Sequence, residues 1–431
     1  MIKKDDLIKY FQEGIKTEKN LRIGVEHEKF LFNDKLNKRI NFGTVIKIFD
    51  FLQKFGWKVI KEKNNTVALY KEGKSITLEP GNQIELSGAP LSSVHHNCKE
   101  SYEFLDELKQ VCKNFDLKMM ATSFDPFSKL ENVPSTPKQR YAIMAEEMPK
   151  SGTLSLEMMY QTCGTQINLD YTSEKDFLKK FKLSSFLVPL ATAIFVNSAI
   201  KENKLSGYLS YRSYVWQNTS RGGLPKSFLE NMDFEKYVDM AINMPLLFIM
   251  KDGEYFKSNG KTFKDLIEGK LPILKSKEAT IKDFETHLAT IFTEVRLKKY
   301  IEIRSLDTCE WDCHCGGPAL YTGLVYGSLD EALEIVNNWK TPDILSAYVE
   351  VPKKGLNTIL NKKTLLEWGK IFLKLAKKGL QKRSIKNSKG KDEAIFLRSI
   401  ESVLNNNKSK ANHTIEKFKK QKSLEFLYEK I

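Results

Sequence analysis

Apolar residues recur at helical spacing in several long stretches of the chain. In 43–55, Val45, Ile48, Phe49 and Leu52 fall on one face. The stretch 92–115 keeps the same period, with Ser92 or Ser93 placed to cap its start. Segments 174–200, 318–338, 362–379 and 391–407 also read as helices. Strand-like runs interleave with them at 21–32, 66–88, 163–171 and 298–307. Strands and helices do not alternate one for one, which disfavours a doubly wound parallel sheet and predicts an α+β fold with an antiparallel sheet carrying helices. No internal repeat is present. One domain over 1–431 is expected, with a core at about 15–380 and a basic helical part at 381–431 entered through the polar stretch KNSKGKDE.

The strand-like runs carry an unusual load of acids. Residues i and i+2 of a strand point the same way, so Glu26 and Glu28 share a face in RIGVEHEKF. Glu79 precedes the Pro80-Gly81 break, after which Gln83, Glu85 and Ser87 share a face. Gln166, Asn168 and Asp170 align in CGTQINLDY, and Glu302 aligns with Arg304 in YIEIRSLD. Each pair alone reads as the wet side of a half-exposed strand. Like charges on one face repel, however, and four such strands together point to a hard cation, Mg²⁺ or Mn²⁺, bound through oxygen. His27 falls on the face opposite Glu26 and Glu28, while His95 and His96 read as surface or capping residues of the 92–115 helix.

Composition narrows the partners. The net charge of +15 comes mainly from dispersed lysines, so neither a nucleic-acid surface nor a membrane surface is implied. Against this lysine background only nine arginines occur, and those at 22, 212, 296 and 304 would complement anions brought in with the metal. A guanidinium is a planar fork suited to phosphate and carboxylate, where an ammonium is a point charge. Acids for a divalent ion and arginines for phosphate make the inventory of an ATP-using phosphoryl-transfer site, built without a GxxxxGK[ST] loop. No apolar run is long enough to span a membrane, the N-terminus MIKKDDLIKYFQEG has no signal-peptide core, and six thinly spread cysteines contain no CxxC pair. A reducing, cytoplasmic setting is expected. Cys163, among the acids, reads as structural.

The segments RIGVEHEKFLF, SITLEPGNQIELSGAPLSSVHHNC, SGTLSLEMMYQTCGTQINLDY, GYLSYRSYVW and HLATIFTEVRLKKYIEIRSLD resemble, in order, those of plant and proteobacterial glutamate–cysteine ligases. The resemblance implies a glutamine-synthetase-like fold, with a six-stranded antiparallel sheet forming a funnel surrounded by helices. It implies ATP-dependent formation of γ-glutamylcysteine through a γ-glutamyl phosphate, the first step of glutathione biosynthesis, in a monomer or redox-dependent homodimer. Glu26, Glu28, Glu79, Glu85 and Glu302 would hold Mg²⁺, with Gln166 beside or on a metal. Arg212 and Trp216 would line the amino-acid sites, and Arg296 and Arg304 would face the transferred phosphoryl group. Three departures stand out. The loop after Trp216 reads QNTSRGGLP, with Arg221 in the place of a family arginine. Leu247 replaces an aromatic residue at the cysteine site. Of two regulatory disulfides in plant members, Cys98 and Cys315 match one, while Ser258 and Ile273 replace the other. The alternative is a carboxylate–amine ligase that gives glutamate to another amine.

Overall fold

A computed structural model describes residues 2–62, 65–271, 278–421 and 423–430; Ile273 lies outside them. Eight strands form the main sheet: β1 (Ile23–Lys29), β2 (Lys58–Glu62), β3 (Asn65–Lys71), β4 (Lys74–Leu78), β5 (Ile84–Ser87), β6 (Gly164–Leu169), β7 (Val295–Leu297) and β8 (Ile301–Asp307). Their order is β7-β8-β6-β1-β5-β4-β3-β2, with every neighbouring pair antiparallel. The α+β expectation holds, with eight strands rather than six. The two additions, β2 and β7, are the sheet edges. β7 is three residues long and β2 is polar and half-exposed, so neither carries a clear alternation of its own.

The pleat sorts the side chains. Ile23 and Val25 of β1, Ile167 and Leu169 of β6, and Ile301 and Ile303 of β8 enter one large core with the helices Glu174–Phe186, Val188–Phe195 and Gly316–Thr322. Ile76, Leu78, Ile84 and Leu86 of β4 and β5 enter a second core. It is completed by Phe104, Leu105, Leu108 and Val111 of the helix Val94–Phe115, and by Val45, Ile48, Phe49 and Leu52 of the helix Phe42–Leu52. Ser93 caps the longer helix by accepting the His96 amide. One sheet face is thus sealed by helices. The other is polar and faces a third cluster that includes Met144, Met158, Met159, Trp216, Phe248 and Phe292.

Two expected helices are interrupted. The 174–200 stretch divides at Leu187, where the second helix begins with Pro189 in its first turn, and the chain leaves helical geometry at Val196. The 318–338 stretch contains a π-helical turn, Gly323–Gly327. Here Gly323 and Gly327 press on backbone carbonyls of Ala376 and Gly379, an approach that any Cβ would block. The C-terminal segment returns to the sheet. Tyr428 bridges to Met120, and Glu429 pairs at 2.8 Å with the buried Lys29 of β1.

Candidate functional site

A cavity of about 470 Å³ opens between the polar sheet face and the third cluster. Strand register explains its floor. Glu28 lies opposite Glu85, which lies opposite Thr77; Glu26 lies between Ser87 and Gln166; Asn168 lies opposite Glu302, which lies opposite Arg296. Each strand contributes alternate residues, so one stripe of polar groups crosses β7, β8, β6, β1, β5 and β4.

The stripe has two halves. Glu26, Glu28, Glu79 and Glu85 line the acidic half. Burial, then repulsion from Glu302 and Glu85, pushes the Glu26 carboxyl up to about 7. Burial and then Glu85 push Glu28 up to about 7. Burial raises Glu79 and Glu85 as well, with Glu28 acting on Glu79 and Glu79 on Glu85. Neutral donors hold some of the oxygens: Asn168 Nδ2 donates to Glu26 at 2.8 Å, Gly164 N and Gln166 Nε2 to Glu28 at 2.7 and 2.8 Å, and Thr77 and Ser87 hydroxyls to Glu85 at 3.0 and 2.8 Å. These bonds orient the carboxylates without neutralising them.

Arg296 and Arg304 line the other half, and Arg140 stands near Glu79. Glu302 is different in kind from the other acids. It is fully buried and does not line the cavity. Arg296 grips it through Nε and Nη2, the latter at 2.9 Å, and Arg304 Nη1 lies 3.1 Å from it. Burial works against its ionisation, but Arg296, Lys298 and Arg304 outweigh burial and hold the carboxyl well below the usual range. Gln166 joins the halves, donating to Glu28 and accepting from Arg304. Trp216 forms part of the wall, with the guanidinium groups of Arg212 and Arg304 over its ring at 5.0 and 5.2 Å. Trp216 Nε1 and Arg304 Nε are buried donors with no partner among the described residues, which leaves them for a ligand.

Of the residues singled out in the sequence, Glu26, Glu28, Glu79, Glu85, Gln166, Trp216, Arg296 and Arg304 meet at the cavity. Arg212 lies behind it, donating to Arg304 O at 2.9 Å and pairing with Asp307 at 3.7 Å. Arg221, at φ 63°, ties its loop to Thr290 and Pro245. Leu247 is buried outside the cavity, while its neighbour Phe248 and Met250 form the wall. Sequence reasoning missed Arg140, Tyr141, Met158 and Met159. Arg140 was marked only by being one of few arginines, since the helix Gln139–Glu147 that carries it has no acid-rich pattern. His27 faces His314 and Trp311 on the opposite side of the sheet, and Cys163 is buried with its thiol pushed well above the usual range by burial and Glu28.

Cys98 and Cys315 are bonded, with Cα atoms 6.0 Å apart, tying the Val94–Phe115 helix to the start of the Gly316–Thr322 helix. Cys309 and Cys313 form a second, local disulfide that the sequence did not suggest. Ser258 donates its hydroxyl to Leu246 O.

The donor set suits a hard cation. Four carboxylates, Glu85 buried and the others part-buried, repel one another with no cation among their hydrogen-bond partners in the described residues, and added positive charge would relieve this. Among the described residues, no three Asp, Glu, His or Cys side chains converge to cage an ion unaided. Mg²⁺ does not require that, since it keeps waters and takes one or two carboxylates plus phosphate oxygens.

Comparisons with known proteins show the family to which the chain belongs. The family model for glutamate-cysteine ligase family 2 matches residues 22–429. "Glutamate--cysteine ligase B, chloroplastic" of Oryza sativa subsp. japonica is 37% identical over 436 residues, covering 99% of this chain and 87% of the rice protein. The chloroplastic glutamate–cysteine ligase of Arabidopsis thaliana is 37% identical over 421 residues, covering 96% of this chain and 80% of that protein. A crystal structure of glutamate–cysteine ligase from Francisella tularensis in complex with AMP superposes with a TM-score of 0.52 at 13% identity, covering 94% of this chain and 86% of that one, a likeness of fold. The expectation of a cytoplasmic setting is corrected: these plant relatives are named chloroplastic, so the comparisons do not support it. Among the described residues no helix is long and apolar enough to cross a membrane.

Proposed function

The chain belongs to glutamate-cysteine ligase family 2, and we propose that it joins the side-chain carboxylate of glutamate to the amine of cysteine at the expense of ATP. The observation that carries this reading is the divided cavity, with four mutually repelling carboxylates, two of them raised to about 7, facing an arginine group anchored by Glu302.

A free carboxylate repels an incoming amine, and phosphorylation turns it into an acyl phosphate with a good leaving group. Glu26, Glu28, Glu79 and Glu85 would hold Mg²⁺ or Mn²⁺, which when bound neutralises the ATP oxygens. Arg304, presented by β8 with its Nε free, is positioned to bind the transferred phosphoryl group, and Arg296 adds positive charge beside it. Glu302 is best read as the counter-ion that fixes both forks rather than as a metal ligand. Arg212 supports Arg304 and Trp216 from behind. The apolar wall of Met144, Met158, Met159 and Phe248 helps exclude water, which would otherwise hydrolyse the acyl phosphate. No side-chain nucleophile is required.

A second reading, ligation of glutamate to a different amine, is favoured by one observation. Leu247 stands where an aromatic residue was expected, and it does not reach the cavity. ADP release with glutamate, ATP and Mg²⁺ across a panel of amines separates the two. Cysteine is expected to be the best acceptor. Equal release with 2-aminobutyrate or glycine would overturn the cysteine assignment, and no release with any amine would overturn the ligase.

A further inference from the structure

The residues that line the cavity do not explain how its acidic half keeps its shape. Glu79 sits on the turn Glu79–Gln83 between β4 and β5, and Glu85 follows on β5. Across the cavity stand Met158, Met159 and Thr162, at the C-terminal end of the helix Ser155–Gln161. The last carbonyls of a helix have no partners within it. Here the turn supplies some: Gln83 Nε2 donates to Met159 O at 3.2 Å and to Thr162 O at 2.9 Å, while its Oε1 accepts the Gly81 amide at 2.8 Å. Position 81 must be glycine for this contact, because a Cβ there would collide with Tyr160 O.

Behind this junction, away from the cavity, lies Arg39. Its side chain and that of Asp125 are both 0% exposed, 3.2 Å apart. The Arg39 fork spans the two sides of the junction: Nη2 donates to Gly81 O and Nη1 to Tyr160 O at 3.4 Å, with the plane 4.3 Å from the Phe30 ring centroid. Asp125 is itself held by the amides of Phe127 and Ser128 at 3.0 and 2.9 Å. Thr136 pins the turn from another side, donating to Glu79 O at 2.7 Å, while Asn82, at φ 58°, donates to Ile40 O at 3.1 Å. A fully buried ion pair is a weak source of stability and is often replaceable by apolar side chains. What an apolar pair cannot do is hold Gly81 O and Tyr160 O at a set separation.

We propose that Arg39, paired with Asp125, is a positioning residue that sets the distance between the Glu79–Gln83 turn and the opposite wall, and through it the geometry of the divalent-ion site. This rests on the metal-dependent ligase reading. Arg39→Lys keeps the charge beside Asp125, but a single ammonium cannot also span Gly81 O and Tyr160 O. Thr136→Val, similar in shape, removes the bond to Glu79 O without unpairing a buried charge, and serves if the lysine variant does not fold.

The experiment measures Mn²⁺ affinity of the protein with a non-hydrolysable ATP analogue bound, by electron paramagnetic resonance, together with kcat, the KM for each substrate and the melting temperature. Losing a partner behind a metal ligand typically costs about tenfold to a hundredfold in metal affinity or activity. We expect Mn²⁺ binding and kcat to fall by about tenfold in Arg39→Lys and by less in Thr136→Val, with the KM for cysteine unchanged. Wild-type Mn²⁺ affinity in the folded variants, with or without a lower melting temperature, would overturn the positioning role. Because Mn²⁺ binding is read without glutamate, cysteine or turnover, wild-type protein that binds Mn²⁺ yet forms no amide would sink the ligase reading alone.

Discussion

Glu26 and Glu302 stand on the same face of the same sheet, the first part-buried at the cavity and the second fully buried, yet their neighbours drive them apart. Glu26 has an amide donor and acidic neighbours, and its carboxyl rises to about 7. Glu302 has two guanidinium groups and Lys298, and its carboxyl is held well below the ordinary range. Desolvation pushes both carboxyls upward, so it does not decide. What decides is whether the neighbouring strand supplies a cation. One acid is left needing a cation from solution, while the other consumes its own to hold the arginines still. A site that brings a metal nucleotide onto a carboxylate substrate needs both kinds.

The largest effect expected from breaking this difference is on turnover. Glu26→Gln should lower kcat by about a hundredfold or more, since it deletes a charged ligand where the remaining acids cannot move in. The same change should stabilise the metal-free protein. With a folded value of about 7 against 4.5 for the unfolded chain, the cost of ionising Glu26 is fully present above pH 7 and gone below 4.5. At pH 8 the gain is about 1–3 kcal/mol, vanishing as the pH falls through that window. Denaturant melts at pH 8 and pH 4.5 check this, and an unstabilised variant at pH 8 would remove the claim that Glu26 is uncompensated.

Glu302→Gln should also abolish turnover, but with the opposite stability outcome. It leaves two buried guanidinium groups without a counter-charge, a loss of about 3 kcal/mol or more. If both variants shifted stability in the same direction, the division into free and anchored acids would fail. Arg304→Lys should reduce turnover by about tenfold, because the lysine keeps the charge and loses the fork. A lysine variant matching wild type would mean that only charge matters there. The smallest effect belongs to Ser87→Ala, which removes one 2.8 Å hydrogen bond to Glu85. A change of about 1 kcal/mol or less is expected, read as at most a severalfold shift in the Mg²⁺ concentration for half-maximal rate.

Much of the acidic half was legible beforehand. The alternation in RIGVEHEKF and in QIELS placed Glu26, Glu28 and Glu85 on common faces, and the register confirms that those faces coincide. Arg140 was not legible, since its helix has an ordinary amphipathic pattern and only folding brings it to Glu79. Leu247, placed at the acceptor site by the resemblance, does not line the cavity, whereas Phe248 and Met250 of the strand that follows it do.

The sequence by itself determined which residues share a strand face, because side-chain alternation is a property of the pleat and depends on a few adjacent residues. It also determined the helices that seal the apolar face, through their period. Only the tertiary structure decided which acids stay uncompensated. Arg296 reaches Glu302 through a hairpin, but Arg304 meets Gln166 across 138 residues and Arg39 meets Asp125 across 86. The charge state of a buried carboxyl depends on neighbours within a few ångströms, and the chain alone does not say which distant segments will supply them.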